Sequence, residues 1–163
     1  MVKVNIVAVG FIKENYLKDA IKEYSKRLGR FCSLNIIEVD EESKEKAVKK
    51  KIDLESSKLI NAVKGGFILL DRQGKIVSSE ELAEMVEECA VRFNGEISFV
   101  IGGSNGVNEA LKSKAKHIIS FGKITYPHQL FRVVLLEQIY RAFSILNNLP
   151  YHKWGYDLIA KSN

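Results

Sequence analysis

Cysteine is scarce in the 163-residue chain, with only Cys32 and Cys89 present, far apart and in apolar segments. Two such residues form neither a disulfide framework nor a set with metal-ligand spacing, so we expect a reducing environment and no metal. No apolar run is long enough to cross a bilayer, and Met1 leads into a strand-like segment rather than a signal sequence. These absences predict a cytoplasmic protein without a membrane segment.

Proline is equally scarce, since Pro127 and Pro150 are the only two and both lie in the last quarter of the chain. Linkers, internal repeats and low-complexity tracts are missing too, so no domain boundary is apparent. The 163 residues, 46% of them hydrophobic, suit one core and would be cramped as two. We therefore predict a single domain over residues 1–163.

The charge balance excludes a strongly acidic protein, because the formal net charge is +5. Much of the excess lies in the segment 44–51, KEKAVKKK, where Glu41, Glu42 and Glu45 partly offset it. A modest basic excess favours a polyanionic partner without requiring one. We interpret this segment first as the exposed face of a helix and second as a nucleic-acid contact.

Segments with strand and helix patterns alternate along the chain. Strands are predicted at residues 2–9, 34–39, 67–70, 96–101 and 117–121, and helices at 14–28, 41–63, 79–93, 109–116 and from 127 onward. Residues 71–74 should form a turn, and Ser78 with Glu81 has the spacing of a capping box. Such alternation predicts an α/β fold with a mostly parallel sheet and helices on both faces.

A glycine-rich loop, Gly102 to Gly106, follows the fourth predicted strand. Its backbone can approach a ligand closely, and its amides can bind an anion or a purine edge. The spacing matches neither the dinucleotide fingerprint nor a P-loop. A tight turn that only requires positive φ is the alternative interpretation.

Three loops should meet at one edge of the sheet, namely those after Leu70, at 102–106 and at 122–126. Ligands of open α/β sheets bind beyond the carboxyl ends of the strands. None of the loops carries a metal cluster, a Cys and His at nucleophile spacing or paired carboxylates, which argues against a hydrolase or a metalloenzyme. The pattern predicts a site that binds through backbone and shape.

The last helix is apolar on several sides, which favours a homodimer seam, with a central helix of a monomer as the alternative. Its apolar residues include Leu130, Val133, Val134, Ile139, Phe143 and Leu146. Glu137 and Arg141 have the spacing of a helical ion pair, whereas His128 and Arg132 share a face suited to an anion.

The group Tyr151-His152-Lys153 follows a helix stop. An aromatic residue, a histidine and a cation together suit stacking on a base and binding of a phosphate. A structural or surface role for the lone histidine is the alternative.

Three segments resemble a known family, namely FVIGGSNGV at 99–107, FGKITYPHQLFRVVLLEQIYRAF at 121–143 and PYHK at 150–153. They are similar to the ribosomal RNA large subunit methyltransferase H family, SPOUT-class enzymes that methylate N3 of a pseudouridine in 23S rRNA. The resemblance covers nearly the whole chain. It implies S-adenosylmethionine as methyl donor, a homodimer acting on the ribosome, and a deep C-terminal trefoil knot, which periodicity does not predict.

The resemblance also implies functional residues. Cofactor-binding positions correspond to Leu70, Gly102, Gly103, Phe121, Gly122, Lys123, Ile124, Thr125 and Tyr126. Tyr151 and His152 correspond to residues near the target nucleotide, and His152 is the candidate base because histidine can accept a proton near neutral pH. Candidate ligands of RNA phosphates are Arg132, Arg141 and Lys153. We expect the tail of one protomer to complete the site of its partner.

One feature departs from the family, whose members usually end just after the Tyr-His-Lys group. Here residues 154–163 follow a family core of 1–153. This C-terminal extension either packs back on the protein, enlarges the RNA-binding surface through Trp154 and Tyr156, or does neither. Two other functions remain open: a knotted methyltransferase acting on another RNA such as tRNA, and a non-catalytic RNA- or ribosome-binding protein.

Overall fold

A computed structural model of the protein describes residues 1–153, so the C-terminal extension lies outside the described residues. Strands and helices alternate as expected. The strands are β1 (Val2–Val9), β2 (Cys32–Val39), β3 (Gly66–Ile76), β4 (Glu96–Ile101) and β5 (His117–Ser120), and the helices are α1 (Asn15–Leu28), α2 (Val48–Ala62), α3 (Ser79–Arg92), α4 (Glu109–Lys114) and α5 (His128–Leu146).

The five strands form one parallel sheet in the order β2-β1-β4-β3-β5. The buried stretches of the three inner strands, residues 4–9, 67–70 and 97–101, are mostly apolar because both of their faces are covered. Residues at successive positions of β1, such as Ile6 and Val7, belong to the two different hydrophobic clusters. The predicted single α/β domain with a parallel sheet is therefore confirmed.

The two clusters assign the helices to the two faces of the sheet. Leu28 of α1, Leu82 of α3 and Leu135 of α5 lie in one cluster, whereas Leu59 of α2 and Leu111 of α4 lie in the other. Helix α5 packs between α1 and α3 on the first face. Ile139 and Phe143, which were assigned to a dimer seam or a monomer core, are buried within this chain.

Predicted helix starts agree with the side-chain caps. Ser78 accepts a hydrogen bond from the amide of Glu81, and the Glu81 carboxylate accepts one from the amide of Ser78, so the capping box is confirmed. Asn108 caps α4 by accepting from the amide of Leu111. Such caps satisfy amides that have no partner within the helix.

The second helix begins later than predicted, at Val48 rather than at residue 41. The carboxylate of Glu45 accepts from the amide of Ala47, and the amide of Glu42 donates to Glu55. Because side-chain carboxylates bind these amides, residues 41–47 fold beside α2 instead of extending it. The predicted helical start was wrong by about two turns.

The third strand continues through the turn predicted at residues 71–74. The Asp71 carboxylate accepts from the amide of Gln73, and the pairing with β5 shifts between Leu70 and Lys75. A Cβ atom on Gly74 would lie 2.7 Å from backbone atoms of Ile119, so glycine permits the close approach. The predicted turn is instead an irregularity within a paired strand.

No helix within residues 1–153 combines the length and the apolar character that a membrane crossing requires.

Candidate functional site

A cavity of about 230 Å³ opens where β4 and β5 end, beside residues 70–72 of β3. It is lined by Leu70, Asp71, Arg72, Ile101, Gly102, Gly103, Ser104, Gly106, Val107, Ile119, Ser120, Phe121, Gly122, Ile124, Thr125, Tyr126 and Phe131. Eight of the nine residues assigned to a cofactor are among them, and Lys123 is not. Three segments that are distant in sequence thus meet in one cavity, as expected for the carboxyl edge of a parallel sheet.

The glycine-rich loop forms one wall of the cavity. The amide of Gly106 donates to the carbonyl of Gly103 over 3.0 Å, and Gly106 has a φ of +84°. A Cβ atom on Gly103 would lie 2.5 Å from Oε1 of Glu55. The loop therefore needs glycine at position 103 for close packing, whereas position 106 supplies the positive φ of the alternative interpretation.

Glu55 is a residue that the sequence reasoning missed. It lies on α2, is fully buried, and accepts a hydrogen bond from the amide of Glu42 through Oε2, while Oε1 has no hydrogen-bond partner among residues 1–153. Its position between Ile52 and Leu59 puts it on the apolar stripe of the helix. A carboxylate on a buried stripe is the signal that could have identified it, because buried charges are rarely left unpaired without a role.

The 121–126 segment forms the opposite wall. The Ser120 hydroxyl accepts from the amide of Gly122 and donates to its carbonyl, and Gly122 has a φ of +112°. The rings of Phe121 and Tyr126 lie 5.5 and 5.7 Å from that of Phe131 on α5. Aromatic walls with nearby backbone polar groups suit a flat, polar-edged ligand such as a nucleoside.

Two charged residues of the cavity, Asp71 and Arg72, were also not predicted as site residues. They follow Leu70 on the strand that continues where a turn was expected. Asp71 lies 3.7 Å from the ammonium of Lys112 on α4. Because residues 71–74 were predicted to form a turn, Asp71 and Arg72 were not expected to line the cavity.

A second polar cluster forms where the chain folds back after α5. The guanidinium of Arg141 donates to both carboxylate oxygens of Glu137, over 2.7 and 3.4 Å, so the predicted helical ion pair is present. The Tyr151 hydroxyl donates to the same carboxylate over 3.0 Å, and Arg141 lies over the Tyr151 ring. These contacts hold the Tyr-His segment against α5.

His152 joins this cluster to α3. Its Nε2 lies 2.6 Å from Oε1 of Glu80, and its Nδ1 lies 3.2 Å from Nη1 of Arg141. The hydrogen bond from His152 holds the pKa of Glu80 below its usual value. Glu80 was not predicted as a site residue, and its sequence position in a capping segment gave no signal for this contact.

The cavity and the His152 cluster are separate sites within this chain. None of Glu80, Glu137, Arg141 and His152 lines the cavity. Phe131 lines it, and Arg141 lies ten residues further along α5, or about 15 Å along the helix axis. Lys153 is exposed at the end of the described chain.

Arg132 does not occupy the exposed position that an RNA contact requires. It is fully buried, donates to Glu38 over 2.7 Å, and donates to the carbonyls of Val9 and Gly10. Burial lowers the pKa of Arg132, and the Glu38 carboxylate opposes this effect. Arg132 therefore joins α5 to the ends of β1 and β2, and the expected phosphate contact does not fit this geometry.

His128, which was grouped with Arg132 on an anion-binding face, lies 2.7 Å from the carbonyl of Val9 through Nε2. The shared face therefore contacts backbone carbonyls and a carboxylate of the same chain. Within residues 1–153, no group of three or more His, Cys, Asp or Glu side chains is arranged to hold a metal ion.

The pKa of Tyr151 lies above the ordinary value of a tyrosine. Burial, followed by its hydrogen bond to Glu137, raises the pKa of Tyr151 to about 12. Because the folded-state pKa lies above the ordinary value of about 10, its contribution to stability is complete below pH 10 and lost as the pH rises towards 12. Titration of tyrosinate ultraviolet absorbance should show a late phase that Tyr151→Phe removes. Persistence of that phase in the variant would contradict the contact, and Tyr16→Phe, at an exposed site, is the control.

Comparison with known proteins identifies the class. The profile of the family described as "Predicted SPOUT methyltransferase" matches residues 2–152, and the chain belongs to this SPOUT methyltransferase family. Proteins named "Ribosomal RNA large subunit methyltransferase H" are similar to it at about half of all positions. Those from Clostridium botulinum strains Eklund 17B and Alaska E43 are 51% and 50% identical over 157 residues, covering 92% of this chain and 99% of each relative. The family resemblance is confirmed.

A solved structure supports the fold. It is described as a probable methylase family protein from Haemophilus influenzae Rd KW20, with a TM-score of 0.53, 14% identity, and coverage of 94% of this chain and 72% of the other. At this identity the likeness concerns the fold alone.

Proposed function

We propose that the protein is an S-adenosylmethionine-dependent methyltransferase that methylates N3 of a pseudouridine in 23S rRNA of the assembled ribosome. The observation that carries the proposal is that Leu70, Gly102, Gly103 and most of the 121–126 segment line the same cavity. Relatives about 50% identical over nearly their whole length bear the name of a large-subunit rRNA methyltransferase. A ribosomal substrate implies a cytoplasmic enzyme.

The residues of the cavity fit the methyl donor. Phe121, Tyr126 and Phe131 provide an apolar wall for a nucleoside, and the backbone of Gly102 and Gly103 lines the cavity as well. When bound, the donor supplies a methyl group that is already electrophilic. The chain then has to orient the target nitrogen. Such orientation can lower the activation free energy by up to about 7–11 kcal/mol.

Residues of the second cluster act on the RNA in this proposal. His152 accepts the proton that leaves N3, Tyr151 stacks on a base, and Arg141 and Lys153 bind phosphates. Arg141 lies over the Tyr151 ring and the Tyr140 ring packs against it with centroids 4.7 Å apart, so a stacking base would compete with these two contacts. Arg132 is omitted because it is buried and paired with Glu38.

We further propose a homodimer in which the His152 segment of one protomer completes the cavity of its partner. The separation of cavity and cluster along α5 supports this arrangement, since His152 does not line the cavity of its own chain. The same proposal includes a deep trefoil knot in the C-terminal third of the chain. It also divides the chain into a family core of 1–153 and an extension of 154–163.

The proposal is tested by giving the full chain S-adenosylmethionine with a labelled methyl group and three acceptors: assembled 70S ribosomes, free 23S rRNA and tRNA. We expect label on ribosomes, located by mass spectrometry on N3 of one pseudouridine. Label on tRNA alone would favour a knotted methyltransferase with another RNA substrate. A folded protein that fails to bind the donor in calorimetry would exclude both enzymes and favour a non-catalytic RNA-binding protein.

Gly103→Ala provides the matched test of the cavity. The added methyl would meet Glu55 and displace the loop, so we expect donor affinity to fall about tenfold or more. Gly29→Ala is the control, because Gly29 ends α1 with an ordinary φ of −58° and does not line the cavity. Adding Glu55→Ala to Gly103→Ala relieves the clash and should restore part of the affinity. Unchanged donor binding by Gly103→Ala would place the donor elsewhere.

A further inference from the structure

Both ring nitrogens of His152 are occupied by charged partners. Glu80 lies 2.6 Å from Nε2, and Arg141 lies 3.2 Å from Nδ1. A guanidinium can only donate hydrogen bonds and an ionised carboxylate can only accept them. Neutral His152 therefore carries its hydrogen on Nε2, donates it to Glu80, and accepts from Arg141 through the lone pair of Nδ1.

The surroundings favour this arrangement on both sides. The side chain of His152 is only 12% exposed, whereas that of Glu80 is 59% exposed in the first turn of α3. A carboxylate near a helix N-terminus is stabilised by the helix dipole. On the other side, Glu137 binds Arg141 and Tyr151 and so holds the guanidinium beside Nδ1. Glu80, Arg141, Glu137 and Tyr151 are the ionisable groups of this cluster.

This arrangement has a consequence for the proposed base. In it, Nδ1 cannot accept a proton from a substrate, because its lone pair already receives the hydrogen bond from Arg141. Arg141 is also the cation of the cluster suited to an RNA phosphate, since guanidinium–phosphate pairs are strong and often bidentate. A phosphate that attracts Arg141 would leave Nδ1 free while the Nε2–H bond to Glu80 remains.

We propose that Glu80 is a positioning residue that holds His152 through Nε2–H, and that Arg141 blocks Nδ1 until an RNA phosphate binds it. The inference rests on the proposed function. In the proton transfer the N3–H bond of the base breaks, its electron pair stays on N3, and a new bond forms between the proton and Nδ1. The resulting imidazolium lies against the Glu80 carboxylate, which stabilises its charge.

The first test observes the histidine ring itself. The full chain with isotope-labelled histidine has three such residues, His117, His128 and His152, so nitrogen NMR can follow each. We expect wild-type His152 to be in the Nε2–H form. Glu80→Gln should retain this form, because its amide oxygen still accepts the hydrogen bond. Glu80→Ala should instead show a mixture of the two ring tautomers. A short RNA oligonucleotide should alter the Nδ1 signal of the wild type and not that of Arg141→Met.

A matched control exists in the same chain. His117 lies 3.3 Å from Glu88, so Glu88→Ala should change the spectrum of His117 and leave that of His152 unchanged. If Glu80→Ala leaves the His152 spectrum as in the wild type, the positioning role is overturned. If RNA binds without altering the Nδ1 signal, the blocking role of Arg141 is overturned.

The second test is kinetic. Glu80→Ala should lower kcat for RNA methylation about 10- to 100-fold, less than loss of the base itself, with KM for RNA little changed. The kcat of Glu80→Gln should lie between those of the wild type and Glu80→Ala, because glutamine retains the hydrogen bond and loses the charge. Full activity of Glu80→Ala alongside an active wild type would overturn only this inference. A wild type inactive on every RNA would overturn the proposed function and the proton transfer, while the NMR contact would still be decided independently.

Discussion

Replacing His152 with alanine should lower kcat for methylation of the ribosome about 10²–10⁴-fold, the usual contribution of a general base. Donor affinity should change little, because His152 does not line the cavity of its own chain and, in the proposed dimer, acts on the RNA base rather than on the donor. Steady-state kinetics at saturating RNA and calorimetry with S-adenosylmethionine measure the two effects separately. A loss confined to kcat would be specific to the chemical step, whereas a misfolded variant would lose both.

His117→Ala is the control for this variant. His117 lies on β5, and its ring contacts Glu88 rather than the His152 cluster. Its kcat should match that of the wild type. A His152→Ala enzyme that keeps kcat within a few fold at saturating RNA would make the role of His152 as a base untenable. The Tyr151 hydroxyl cannot replace it readily, because a phenol is already protonated at neutral pH and burial raises the pKa of Tyr151 further.

A mixture of two variants, assayed at a donor concentration too low for Gly103→Ala to bind the donor, tests whether the site is shared between protomers. His152→Ala and Gly103→Ala, refolded together in equal amounts, should yield mixed dimers in half of the molecules. If the tail of one protomer serves the cavity of the other, each mixed dimer has one intact site, and activity returns to about one quarter of the wild type. If each chain uses its own tail, the mixture stays inactive.

Arg132→Met should lower the free energy of unfolding by about 3 kcal/mol, the lower end of the cost of removing one partner from a buried ion pair. The change removes hydrogen bonds to Glu38 and to the carbonyls of Val9 and Gly10. Glu38 also accepts the amide of Ile12, so a carboxylate left without its cation disturbs the loop after β1. Urea unfolding followed by circular dichroism measures the loss.

Two variants sharpen this prediction. Adding Glu38→Gln to Arg132→Met removes the unpaired charge and should recover part of the stability. Arg27→Met breaks the exposed pair with Glu23 on α1 and should lower the free energy of unfolding far less than Arg132→Met does. If Arg132→Met costs no more than Arg27→Met and also weakens RNA binding, the residue is a phosphate ligand after all.

The helix caps were predicted correctly because they depend on residues that are close together in the sequence. The capping box at Ser78 and the cap at Asn108 were read directly, because each uses a side chain within three residues of its amide. The meeting of Leu70, the glycine-rich loop and the 121–126 segment also followed from the predicted parallel sheet, since parallel strands end at one edge. The late start of α2 was missed because Glu55, far along the helix, binds the amide of Glu42.

The amino-acid sequence by itself determined the α/β class, the parallel sheet, the family and the loops that form the cavity, because periodicity, caps and motifs are properties of short segments. Only the tertiary structure decided what distant charges do. It buried Arg132 against Glu38, placed Glu55 under Gly103 and brought Glu80 to His152. These pairs are separated by between 48 and 94 positions, and no local pattern records which charge meets which across a packed sheet.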